Sequence, residues 1–260
     1  MLPYIRPPSD ALQRGCPATV ALMSAAHRWS LIVPVVGVVV AVLLLPVVAD
    51  PVVPDSLRPV LSYLVVWVPL GAASIVAVCL AVRRGTERWW LALRLPVSAT
   101  GVVVGVFVGL AARTIAVVAE AITTGRIGAG SLIGGGGDAG AGPLILVVVA
   151  SALVAPVIEE VFFRGAFLPA VTQRLGAGRG FESIAIAIVS VAFAGVHAAA
   201  GGSLLTIVVT LIAGVGFGLT ARSYGVGSAI VAHVVFNSTG LALIASASGL
   251  SPLYPTLALG

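Results

Sequence analysis

Apolar residues in this chain gather into long unbroken runs, with neither the alternation of a half-buried strand nor the polar face of a soluble helix. Seven stretches stand out: 31–49, 60–82, 97–121, 143–163, 183–200, 204–221 and 228–248. A helix needs about 20 mostly apolar residues to cross roughly 30 Å of hydrocarbon. A backbone in lipid must also satisfy its own hydrogen bonds. The pattern therefore predicts an all-α fold, a polytopic transmembrane helix bundle of about seven spans. Pro34, Pro46 and Pro69 lie within the runs and predict kinks rather than ends.

Polar segments divide the chain into a tail at 1–30, transmembrane helices at 31–122, a Gly-rich outer loop at 123–142, a second helical group at 143–248 and a tail at 249–260. Apolar residues make up 59% and charged residues 9%, against roughly 45–50% and 25% in soluble domains. So few charges cannot solvate a globular surface, which excludes a cytosolic enzyme, a disordered chain and a nucleic-acid partner. All 14 basic residues are Arg, and the net charge is +5. With the N-terminus in the cytoplasm, 11 of the 14 fall on the cytoplasmic side, as the positive-inside rule asks. Only Arg58 and Arg126 then lie outside, with Arg113 inside a span. The Arg-, Ala-, Val- and Gly-rich composition points to a GC-rich bacterial genome and a bacterial cell membrane. Cys16 and Cys79 form neither a disulfide framework nor a zinc cluster.

Ionisable groups at membrane depth are costly, which makes them candidates for function. They are Arg113, Glu120, Glu159, Glu160, Arg164, His197 and His233, with the amide Asn237 beside them. Glu160 and Arg164 stand four apart on one helical face, so they pair, or Arg164 snorkels to the cytoplasmic edge. Glu159 is rotated away by about 100° and has no local partner, which suits a base that takes a proton from water. His233 and Asn237, also four apart, can both donate hydrogen bonds into a cavity. Arg113 and Glu120 share a face two turns apart and read as structural, with Arg113 pairing either with Glu120 or with a carboxylate of the site.

Other strings carry less. Gly135-Gly136-Gly137-Asp138 matches the GxGD of aspartyl intramembrane proteases, but no apolar run holds the second Asp that chemistry needs. Asn237-Ser238-Thr239 is a formal glycosylation sequon buried in an apolar run. The HExxH string of zincins is absent, and so is a GxS site with a suitable His.

Glu159-Glu160…Arg164, Phe193…His197 and His233…Asn237, in that order on three helices, resemble the CAAX protease and bacteriocin-processing family of intramembrane proteases. That family, whose pattern is EExxxR, FxxxH and HxxxN, includes the type II CAAX prenyl endopeptidases. The resemblance covers about residues 143 to 240, and the earlier helices are similar only in being hydrophobic. It implies an endopeptidase acting on a membrane-associated peptide or protein within the lipid bilayer. Glu159 and His197 would activate water, His233 and Asn237 would hold the oxyanion or help hold a metal, and Glu160 and Arg164 would support them. Zinc bound by Glu159, His197 and His233 and a metal-free glutamate site are both compatible with these residues. A proton-coupled transporter and a non-catalytic immunity or accessory protein are the competing readings. The halves of the sequence show no self-similarity of the kind many transporters carry.

Depth is one point of tension. Counted from Pro143 at 1.5 Å per residue, Glu159 lies about 24 Å from the outer face, in the same half as His233. His197 falls in the opposite half if its helix starts at Ser183.

Overall fold

The chain is described by a computed structural model at residues 29–54, 56–83, 88–125, 127, 149–176 and 178–250. The tail at 1–28, Cys16, Arg126 and Asp138 lie outside the described residues, as does most of the Gly-rich loop. Every described element is helical. In order they are α1 (Ile32–Leu44, followed by a one-turn helix Pro46–Ala49), α2 (Arg58–Val82), the short α3 (Trp89–Ala92) and α4 (Ala99–Thr124). An interrupted helix α5 then spans residues 150–175, followed by α6 (Arg179–Ala199), α7 (Leu204–Tyr224) and α8 (Val226–Leu250).

Among the described residues six helices are long and apolar enough to cross a membrane: Ile32–Ala49, Val60–Val82, Ala99–Thr124, Arg179–Ala199, Leu204–Tyr224 and Val226–Ile244. Large apolar side chains such as Leu43, Phe107, Ile122 and Leu204 are 70% or more exposed. In water that surface would drive association, and in a bilayer it is the lipid-facing wall. The chain is an integral membrane protein. Prolines act as expected in part: Pro69 lies inside α2, whereas Pro46 ends α1 and opens a separate turn.

The expected fourth span is the element that differs. Its helix continues to Leu175, not 163, and is built of α- and π-helical pieces: Ala150–Val154 is π, Ala155–Glu160 α, Val161–Phe167 π and Leu168–Leu175 α. Each α piece opens with a proline in its first two positions, Pro156 and Pro169. A proline lacks the N–H that would bond the carbonyl four residues back and its ring crowds that carbonyl. A widened π turn ahead of each proline accommodates both defects without ending the helix. The next helix begins at Arg179 rather than 183. The extension of α5 sets Glu159 well before the end of its helix, and Glu159 and His197 line one cavity, so the expected conflict of depth does not arise.

The α4–α8 pair is set by glycine. Gly101, Gly105 and Gly109 recur every four residues and are buried, with Ala112 and Ala116 continuing the stripe. A Cβ on Gly105 would stand 2.6 Å from Ser228 O, and one on Gly109 2.9 Å from Val235 Cβ. Small residues in this register let two membrane helices approach along their backbones. Neighbouring α6 and α7 pack side by side, α7 also touches α4 and α8, and α2 packs on α1 and on α5.

Candidate active site

Glu159 and Glu160 end the α-helical piece of α5 and Arg164 lies in the π-helical piece that follows. Arg164 Nη1 donates to Glu160 Oε1 at 2.8 Å, the i,i+4 pair that the spacing predicts. Arg164 does not snorkel. It is 3% exposed, donates from Nη2 to Gly214 O at 3.0 Å, and lies within 6 Å of the rings of Phe163, Phe193 and Phe217. An aromatic face attracts a guanidinium electrostatically, so this cage replaces part of its lost hydration. Being interior, Arg164 adds nothing to the charge bias of the cytoplasmic face.

Glu160 Oε1 also takes His233, whose Nδ1 stands 2.9 Å away. With Glu160 held by Arg164, the imidazole donates from Nδ1 and presents Nε2. That Nε2 lies 3.9 Å from Glu159 Oε2. Phe217 stacks on the His233 ring at 4.8 Å, fixing its plane. His197 is the last turn of α6, and its Nδ1 donates to Phe193 O at 2.9 Å, so the neutral ring keeps Nε2 as an acceptor. The Phe193 ring stands between the two imidazoles, 4.7 Å from His197 and 5.8 Å from His233.

Asn237, one turn beyond His233, donates from Nδ2 to Ser151 O at 2.8 Å. An amide nitrogen carries two hydrogens, so one remains for a ligand. Glu159, His197, His233 and Asn237 all line a cavity of about 480 Å³, while Glu160 and Arg164 stand behind its wall. The structure thus brings the three motifs to one place.

Sequence reasoning missed part of the wall. Ser62 and Tyr63 of α2 and Ser151 of α5 also line the cavity, with Tyr63 and Ser151 hydroxyls 2.6 Å apart. A tyrosine and a serine at the polar end of an apolar run were the available signal. Arg113 and Glu120 line it too. Arg113 hydrogen-bonds to the carbonyl of Phe236, and Glu120 on the same helix is an opposite charge that acts on it. Among the described residues no group of three or more His, Cys, Asp or Glu side chains gathers closely enough to hold a metal ion.

The fold and the cluster define a class: a membrane helix bundle with a carboxylate–imidazole centre facing a cavity within the bundle. Residues 141–239 match the family described as type II CAAX prenyl endopeptidase Rce1-like, the same family that the three motifs resemble. At family level this supports a CAAX-type intramembrane protease, with a peptide or protein as substrate. Comparison with curated proteins and with solved structures gave no match.

Proposed function

We propose that the chain is an intramembrane endopeptidase that hydrolyses a peptide bond of a membrane-associated peptide or protein with a water activated by Glu159. The observation that carries this is the shared cavity: one loosely paired carboxylate, two imidazoles with outward Nε2 atoms and an amide with a spare N–H. In the reaction, Glu159 takes a proton from a water held beside His197 Nε2, and the water oxygen attacks the carbonyl carbon of the substrate. The oxyanion is held by the free N–H of Asn237, with His233 beside it. Collapse breaks the C–N bond, and the proton on Glu159 passes to the leaving amine. Glu160 and Arg164 hold His233 in plane and take no proton.

The site is of the metal-free glutamate type, a reading supported by the spread of its acidic and imidazole groups. Hydrolysis by protein purified in detergent is expected to survive dialysis against a strong chelator with less than about a twofold loss. A loss restored by added zinc would return Glu159, His197 and His233 to the role of ligands.

The function itself is tested by comparing new protein termini, by mass spectrometry, in cells expressing wild type and Glu159→Ala at matched levels. Termini that vanish only with the variant would establish proteolysis and name the substrates. Unchanged termini would overturn the reading.

A further inference from the structure

The first π turn of α5 withholds one backbone carbonyl from the helix. In an α-helix Ser151 O would accept the N–H of Ala155, and in a π-helix that of residue 156. Here the Ala155 N–H goes to Ala150 O, and residue 156 is a proline with no N–H to give. An unanswered carbonyl inside a membrane bundle is costly, so it draws a donor from elsewhere. That donor is Asn237 on α8, whose Nδ2 stands 2.8 Å from Ser151 O. From the other side Ser151 is held by α2, its hydroxyl 2.6 Å from that of Tyr63.

This bond decides how Asn237 sits. A carbonyl only accepts, so the amide nitrogen and not Oδ1 has to face Ser151. The amide is planar, and fixing one of its N–H bonds fixes the direction of the second. Asn237 lines the cavity with Glu159, His197 and His233, and the second N–H is the one assigned above to the oxyanion. Such a donor is worth most when it is aimed before the charge develops. We propose that Pro156 is a positioning residue for the reaction: by keeping the Ser151 carbonyl out of the helix, it lets that carbonyl aim Asn237 at the oxyanion. The proposal rests on the peptidase reading for the group that Asn237 meets. Pro156 is buried and is not part of the cavity wall, so it acts through Ser151 and Asn237 and not on the substrate.

The test uses the full chain purified in detergent and a peptide spanning a cleavage site found by the comparison of termini. Pro156→Ala and Pro156→Val both restore an N–H at 156, one with a smaller and one with a larger side chain, and let the helix take back Ser151 O. Each is expected to lower kcat about tenfold or more, part of the 10² to 10³-fold carried by one oxyanion donor, with KM within about twofold of wild type. Asn237→Ala lowers kcat further, and adding Pro156→Ala to it costs nothing more. Additive losses, or a change in KM with kcat kept, overturn the proposal. A loss with alanine but not with valine assigns Pro156 to packing and also overturns it. A second measurement does not depend on cleavage: thermal unfolding of wild type, the two single variants Pro156→Ala and Asn237→Ala, and the double variant. Asn237→Ala leaves Ser151 O unanswered in the wild-type helix, so it is expected to lower the unfolding temperature more there than in the Pro156→Ala background. Equal shifts in both backgrounds overturn the proposal. Failure of wild type to cleave strikes at the peptidase reading, and the unfolding cycle then decides by itself whether Ser151 O holds Asn237.

Discussion

Glu159→Gln is expected to lower kcat by about 10² to 10⁴-fold, the usual weight of a general base, with little loss of folded protein. Its side chain is 13% exposed, faces the cavity and approaches His233 Nε2 no closer than 3.9 Å. Glutamine keeps the volume and the polarity but cannot take a proton from water. Little else leans on this carboxylate, because Glu160, not Glu159, anchors Arg164 and His233. The measurement is turnover of a substrate peptide by purified wild type and variant, with thermal unfolding recorded on the same preparations. A loss smaller than about tenfold, or a loss matched by unfolding, would remove Glu159 from the role of base.

The opposite profile is expected of Arg164→Ala, a collapse of stability of about 3–5 kcal/mol, as when one partner of a buried ion pair is removed. Glu160 is fully buried, and its Oε2 already has no hydrogen-bond partner among the described residues. Without Arg164 its charge would stand alone with His233, the Gly214 carbonyl would lose its donor, and the ring cage would close on a void. Thermal unfolding in detergent, or the yield of monodisperse protein, reads the effect. A variant as stable as wild type would show that Arg164 acts on the reaction and not on the framework.

The contrast between these two residues also shows how far the sequence carries. The adjacent glutamates separate into a paired and a loosely paired one on helical geometry alone, and the three motifs announce the class of site. The length of α5 was hidden because hydropathy counts Arg164, Gln173 and Arg174 as polar. Yet Arg164 is neutralised inside the bundle, so the helix runs on past the end of its apolar stretch. The π turns that place Glu159 require knowing how Pro156 and Pro169 are accommodated. The donors of Ser62, Tyr63 and Ser151 were invisible as a group because only the packing of α2 on α5 brings them to the cavity. Arg113 looked like half of a pair with Glu120, and that charge does act on it, but its hydrogen bonds go to a carbonyl on α8 that only the packing reveals.

The glycine stripe of α4 bears on how this protein can be divided. The matched family segment begins at residue 141, after α4 has ended. Even so, α4 lies along α8 at backbone contact and contributes Arg113, Val117 and Glu120 to the cavity, while Ser62 and Tyr63 of α2 face it from another side. The segment with the motifs is therefore not a module that can be excised or transplanted. Grafted onto foreign helices, it would keep its reactive groups and lose two walls of the chamber, and with them the fit that selects a substrate.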